Sequence, residues 1–399
     1  MQVAHRTVAA VNGLTARWAG TAAGSTVFSA AGVWPLLGFL ADGADGRARA
    51  ELAAALGLPA DEAADAAREL LDALESMPGM AAALGLWTEG TLELREPWLK
   101  GLPAQAHGVL TKDLDACRRA LDGWAHHRTG GLVERLPVAL TEGALLLLAS
   151  AFALHTDWPR PFTEVMRRPD AGPWRGRALL GLHRRGVRPD RAGVTSTRDG
   201  RVTVLKVPGD NGLDVHLLLG DEHMTPGQVL GAGVGVLERG LAVTSGCRLP
   251  YGTAGPGLSV TREPTDTPQP LALDMTTVAF DVRADHDLLA LHGLFGLTSA
   301  RDARQGHFPG VTPAPLAIGA AGQSAVARFG ALGFRAAAVT AVMAAPGGVP
   351  PQPRYETTVV RAVFDRPFGF LAVHRETRLA LTAGWVAEPA AYGAGPAGG

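Results

Sequence analysis

GFRAAAVTAVMAAPGGVPPQP, residues 333–353, is a run of small residues that passes into Gly347-Gly348 and four prolines, Pro346, Pro350, Pro351 and Pro353. It separates two convincing strand-like runs, Leu316 to Phe329 and Val359 to Leu381. A connection of about 20 residues without structure of its own is uncommon in a compact domain and is usually functional or disordered. Function is therefore expected here first.

Working outward, further strand-like runs cover Ala144 to Leu154, Arg201 to Val207, Leu213 to Leu219 and Thr277 to Val282. Turn residues such as Pro208-Gly209 and Tyr251-Gly252 fall between the runs. Earlier in the chain the period changes. Val33, Leu36, Leu37 and Leu40 recur at helical steps, with a break near Asp42-Gly43. DEAADAARELLDAL, Asp61 to Leu74, opens with acidic residues as a helix N-terminus prefers, and Leu114 to Val133 closes at Gly130-Gly131. The first 140 residues read as mostly helical. Helices followed by strands, without regular alternation, predict an α+β fold. No linker or fixed-period repeat divides the chain.

The 399 residues carry 37 basic and 38 acidic side chains, a net charge of -1, and are 47% hydrophobic. That suffices for a large core and offers no field to gather phosphates or an anionic membrane. Nucleic acid and membrane are not expected as partners. Cys117 and Cys247 are too few for a disulfide framework and are expected to be buried free thiols. Lys100, Lys112 and Lys206 are the only lysines and Ile318 the only isoleucine, a bias expected of a GC-rich genome. The N-terminus lacks the apolar run of a secretory signal, which favours the cytoplasm, although export by another route would look the same. The longest apolar stretch, Ala144 to Leu154, is too short to span a bilayer.

Enzyme signatures are missing: the chain has no GxSxG, no GxxxxGK[ST], no HExxH and no paired CxxC. His126-His127 would point about 100° apart on a helix with no acidic or Cys partner at ligand spacing, so they read as surface or interface histidines. No metal or cofactor is expected.

Several short motifs follow one another in order. They are Phe28-Ser29 with Gly43-Ala44-Asp45-Gly46, then Trp124, Thr129, Gly130 and Leu136-Pro137, then SAFALHTDWPRPF from Ser150 to Phe162. Asp287-Leu288 to Gly296, Phe308-Pro309-Gly310, Gly333 to Thr340, FDRPFGFL from Phe364 to Leu371 and LTAGWVAEP from Leu381 to Pro389 complete the series. Each alone is ordinary core. Together they resemble the serpin family, inhibitors of serine and sometimes cysteine proteases that trap the enzyme by inserting a loop into a sheet. The resemblance implies an α+β fold of three β-sheets with eight or nine helices. It also implies one domain over residues 1–390, an exposed reactive loop at about 331–357, and a flexible tail over 391–399.

By that resemblance Gly333, Phe334, Arg335, Ala336, Ala337, Ala338, Val339 and Thr340 form the loop hinge. A segment that becomes a central strand needs small side chains, no proline and one face fit for burial. Phe334, Ala336, Ala338 and Thr340 would share one face, with Arg335, Ala337, Val339 and Ala341 on the other, so Arg335 stays outward. Phe334 is larger than the family prefers there, and pushing it into a packed core is expected to cost roughly 1 to 3 kcal/mol and slow insertion. Counting forward from the hinge puts the scissile bond at Gly347-Gly348. Counting back from Arg366-Pro367-Phe368 puts it at Arg354-Tyr355. The forward count is preferred, because Gly333 to Ala345 gives about 13 proline-free residues, near 43 Å of strand.

The resemblance also implies a sheet-opening region at Ser29, Ser150, Trp158 and Gln323, with Gly32 beside it and Ala331 where the family has an acidic residue. The expected activity is that of a suicide-substrate inhibitor, a monomer needing no cofactor, whose partner is an elastase- or subtilisin-like serine protease. A serpin fold serving only as a binding protein is the alternative. Family members outside the cell keep an extracellular location open.

Overall fold

The computed structural model describes residues 3–140, 145–302, 304–334 and 354–393. Eight α-helices lie among them: α1 (His5–Ala19), α2 (Trp34–Gly43), α3 (Gly46–Leu56), α4 (Ala60–Ser76), α5 (Glu96–Gly101), α6 (Leu114–Arg128), α7 (Pro226–Leu237) and α8 (His292–Phe295). Local chemistry sets their ends. Asp45 caps α3 by accepting from Gly46 N, Asp113 caps α6 by accepting from Ala116 N, and Thr225 with Gln228 forms a capping box on α7.

The strands of the first half are β1 (Thr26–Phe28), β2 (Met80–Glu89), β3 (His107–Leu110), β4 (Leu146–Leu154), β5 (Thr156–Asp157), β6 (Thr163–Arg167), β7 (Leu179–Gly186) and β8 (Ala192–Thr197). The second half supplies β9 (Gly200–Pro208), β10 (Leu213–Gly220), β11 (Thr244–Ser245), β12 (Gly252–Gly255), β13 (Leu258–Thr265), β14 (Ala272–Val278) and β15 (Phe280–Asp287). After these come β16 (Ile318–Phe329), β17 (Gly333–Phe334), β18 (Tyr355–Val363), β19 (Phe368–His374) and β20 (Ala380–Val386). They build three sheets, as expected. The central sheet runs β3-β2-β4-β16-β17-β5, with β15 on the far edge of β16. A second sheet runs β1-β20-β19-β10-β9-β8-β11 and a third β12-β13-β18-β14-β7-β6.

The main core lies between the central and second sheets, where Phe280 stacks on Phe329 and on Phe370. α6 covers the opposite face of the central sheet, packing Leu121 and Ala125 with Leu147, Ala149 and Ala151. Every residue of β4 is buried, because it is covered on both faces and paired on both edges. That explains its unbroken apolar run.

The sequence reading needs four corrections. The first 140 residues are mostly helical as expected but also contain β1, β2 and β3; β2 reads MAAALGLWTE, whose Ala/Leu composition hides a strand paired on both edges. The run Thr277 to Val282 is two strands, split at Ala279, where the chain passes from the third sheet to the central one. Cys247 is exposed on a short 3-10 turn, while Cys117 is buried. The tail is held as far as Tyr392, whose N–H donates to Ala178 O, while Ala390 N donates to Ala279 O. No helix among the described residues is long and apolar enough to cross a membrane.

Candidate functional site

In the central sheet β4 and β16 run parallel and pair directly from Leu146/Ile318 to Ala153/Val326. Above that stretch they part. The gap holds β17, in which Phe334 pairs with Phe329 on one side and Thr156 on the other, and Gly333 pairs with Asp157. The first two residues of the expected hinge therefore occupy the position of a central strand, and the sheet below them is closed. Phe334 is fully buried, its ring 6.0 Å from that of Phe370. The cost expected for burying Phe334 thus belongs to the intact fold, not to a later insertion. Arg335, Ala336, Ala337, Ala338, Val339 and Thr340 lie outside the described residues, as do Gly347 and Gly348.

The turn from β16 into β17 is clamped by the segment after β5. Trp158 N donates to Leu332 O at 2.8 Å, its indole Nε1 donates to Gly330 O at 2.9 Å, and Phe162 N donates to Ala331 O at 2.8 Å. The Trp158 ring leans on Phe329 at 5.0 Å. Ala331 takes part only through its backbone in these contacts. Opposite, Thr156 donates its hydroxyl to Asn211 Oδ1 at 2.6 Å, and Asn211 Nδ2 donates to the carbonyls of Pro78 and His155. Gly79 permits this approach: its φ is +80°, and a Cβ there would sit 2.0 Å from His155 O.

Below the hinge, Ser29, Ser150 and Gln323 come together, all fully buried. Gln323 faces Ser150 directly across the β4–β16 pair. Its Nε2 donates to Ser29 O at 2.8 Å and to Ser150 Oγ at 3.1 Å, while its Oε1 accepts from Ser29 N at 2.7 Å. Ser150 Oγ donates to Gly32 O at 2.8 Å, and Ser29 Oγ donates to Leu381 O at 2.6 Å while accepting from Gly32 N. Every donor of this network has a partner, so it rivets β4 to β16 and both to the second sheet. Gly32 is needed for closeness: a Cβ there would lie 2.9 Å from the Phe152 ring and 3.1 Å from Ser150 Oγ.

One member escaped the sequence reading. His286 on β15 lies opposite Gln323 in the same row. Its Nε2 donates to Val27 O at 2.8 Å, and its ring meets Trp18 edge-on at 5.1 Å. Burial lowers its pKa, favouring the neutral ring. Standing directly before the motif residues Asp287-Leu288, it looked like one of many scattered histidines, and only the register links it to Gln323.

The far end of the loop enters the third sheet. Arg354 N donates to Thr265 O at 2.9 Å and Tyr355 already pairs with Thr265, so the Arg354-Tyr355 bond lies at the start of a ladder. His126 and His127 are exposed on α6, and no group of three or more His, Cys, Asp or Glu among the described residues is placed to hold a metal.

Comparison with known proteins agrees with this arrangement. The family model described as Serpin (serine protease inhibitor) matches residues 10–171. A putative serpin-Z6A of Oryza sativa subsp. japonica is 28% identical over 158 residues, 36% of this chain and 40% of that relative, so the match spans under half of the relative's length. Among solved structures, the thermophilic serpin tengpin in its native state has a TM-score of 0.75 at 13% identity, covering 97% of this chain and 95% of that one. A serpin from the trematode Schistosoma haematobium has a TM-score of 0.69 at 15% identity, covering 97% and 100%. Thyroxine-binding globulin in complex with thyroxine has a TM-score of 0.71 at 18% identity, covering 96% and 99%. The N-terminal part is thus similar in sequence to the serpin family, and the chain has the serpin fold over nearly all of its length.

Proposed function

We propose that this protein inhibits a serine protease as a suicide substrate, its cut loop extending β17 down the central sheet. The observation that carries the reading is register. Continuing the pairs Phe334–Phe329 and Phe334–Thr156 sets Ala336 opposite Ala327 and Ala338 opposite Ala325. The same continuation sets Thr340 between Gln323 and Ser150. Small side chains thus meet small side chains on β16, while on β4 the same register sets Ala336 opposite Leu154 and Ala338 opposite Phe152, and one hydroxyl arrives where parting the strands breaks the Gln323–Ser150 bond. A hydroxyl both donates and accepts, so it can serve both former partners. In this reading, insertion of the cut loop into the central sheet supplies the free energy that traps the protease.

The scissile bond we favour is Gly347-Gly348. A protease must seat residues on both sides of the bond it cuts, and after Arg354 those are Tyr355, Glu356 and Thr357 of β18, with Thr357 buried. Small residues at the bond suit an elastase- or subtilisin-like enzyme. The test is incubation with subtilisin, pancreatic elastase and trypsin, followed by denaturing electrophoresis and mass spectrometry. We expect a denaturation-stable adduct with one of the first two and a released fragment beginning at Gly348. Clean cleavage that leaves the protease fully active would overturn inhibition, and a fragment beginning at Tyr355 would overturn the assigned bond.

A second reading is a binding protein on the same fold. It is favoured by the likeness to thyroxine-binding globulin and by a closed sheet riveted by Gln323. It predicts cleavage without an adduct and without gain of heat resistance.

A further inference from the structure

Arg184 lies on β7 and is only 8% exposed. Its guanidinium carbon stands 4.1 Å above the Phe162 ring, one N–H group donates to Arg160 O, and another reaches Met275 Sδ at 3.5 Å. A guanidinium carries five N–H donors, so the others have no acceptor among the described residues. Nor does any carboxylate among them bear on its charge. Two more arginines stand beside it instead. A Cβ on Gly186, which shares a face of β7 with Arg184, would lie 3.9 Å from Arg160 Nη1. Arg191 ends the short 3-10 turn Pro189–Arg191 that follows β7, and its charge is felt by both other arginines. The carboxylates near Arg191 are already engaged: Arg188 holds both oxygens of Asp190 at 3.0 Å, and Arg375 holds Asp214 at 2.6 Å. Burial first, then the charges of Arg191 and Arg160, lower the pKa of Arg184 to about 10, so it remains a cation at neutral pH.

We infer that Arg184, Arg160 and Arg191 form a binding site for a dianionic tetrahedral oxyanion, a phosphate ion or a phosphoryl group. A buried charge is costly unless it is paired, and clustered cations repel one another besides. One dianion answers both problems. Its oxygens accept the unused N–H groups of Arg184 and, at the same time, charge-assisted bonds from a second guanidinium. A carboxylate brings one charge and two oxygens, too few for three cations. Access is provided as well: Arg160 is exposed and Arg191 half-buried, which makes them the rim, and buried Arg184 is the floor. The site does not depend on loop insertion, yet it touches the hinge. Phe162, the ring beneath Arg184, donates its N–H to Ala331 O and so holds the turn into β17. A bound anion is therefore expected to steady that turn.

Titration calorimetry and melting curves on the full-length protein, with chloride balancing the ionic strength, test this. Inorganic phosphate should bind at one site with a Kd below about 1 mM, and about 10 mM phosphate should raise the melting temperature by about 2 °C over matched chloride. Arg184→Met keeps an unbranched chain between Phe162 and Met275 while removing the charge, and should abolish the saturable binding. Arg160→Gln and Arg191→Gln, at the rim, should each weaken it at least about fivefold. Glucose 6-phosphate is the second probe: binding as tight as that of phosphate would assign the site to phosphoryl groups of larger molecules, and rejection would assign it to the free ion. No saturable binding of either probe, or an affinity unchanged in both Arg160→Gln and Arg191→Gln, would overturn the site. A phosphate stabilisation of the same size in Arg184→Met would be the general effect of an excluded salt and would overturn it too.

Discussion

The two ends of the loop are fastened in opposite ways. At the N-terminal end two residues, Gly333 and Phe334, sit between β5 and β16, above the stretch where β4 and β16 pair directly. At the C-terminal end nine residues, Tyr355 to Val363, lie inside a sheet with neighbours on both edges. One end is a strand begun and the other a strand finished. Under the proposed function the contrast gives a direction: the Gly333 side is the one that would extend as a strand once the loop is cut.

The largest effect should come from separating them. Nicking the chain anywhere between Pro346 and Pro353 should raise the melting temperature by at least about 10 °C, equivalent to several kcal/mol at roughly 2 to 4 °C per kcal/mol. Calorimetry on intact and nicked protein checks this, and equal melting points would erase the contrast. Next in size is Phe334→Ala. Removing a fully buried ring that packs toward Phe370 should cost about 3 to 5 kcal/mol in the intact protein. The same loss in nicked protein would show that the ring is in place before and after insertion. A loss confined to the intact form would instead mean that the ring leaves its site.

How much of this was legible beforehand follows from where each signal resides. The motifs from Ser150 to Phe162 and from Phe364 to Leu371 are strings of core residues, so they announced the family fold. What escaped depends on register. Phe334 reads as an obstacle when only its size is known, and as part of the core once its pairing with Phe329 is known. His286 becomes a neighbour of Gln323 only when β15 is laid on β16. The pairing of β18 with β13 was hidden because β13, LSVTREPT, is largely polar and ends in a proline-containing stretch, which reads as loop. Its strand character comes from β18 itself, a partner about a hundred residues later.

Acid should act on the scaffold that both ends share. His216 on β10 is buried, and burial first, then the charge of Lys206, lowers its pKa to about 4. Between pH 6.5 and about 4 the unfolded chain takes up a proton there that the folded chain refuses. Stability is therefore full above pH 6.5 and falls as the pH drops toward 4, by an amount on the order of 3 kcal/mol. Burial lowers His286 and His374 as well, which adds to the same slope. Denaturant titrations at pH 7 and pH 4.5 should show intact and nicked protein losing similar amounts, with a shallower loss in His216→Leu. An acid loss confined to the intact form would place the titrating groups at the loop and not in the shared sheets.

The finest test concerns a single hydroxyl. While β4 and β16 are paired, Gln323 donates to Ser150. After insertion, register sets Thr340 between them, and Thr340→Val would then present a methyl group to two buried polar side chains. Leaving such groups unpaired costs about 1 to 3 kcal/mol, so the variant should lower the stability of nicked protein by that amount and leave the intact form unchanged within a few tenths. Val is close to Thr in shape, so packing contributes little to the difference. The measurement is a pair of denaturant curves for each form, and the diagnostic quantity is the difference of differences. An equal loss in both forms would mean that Thr340 is already buried before any cut. No loss in either would mean that the inserted strand takes another register, and the Gly347-Gly348 assignment, which shares that register, would fall with it.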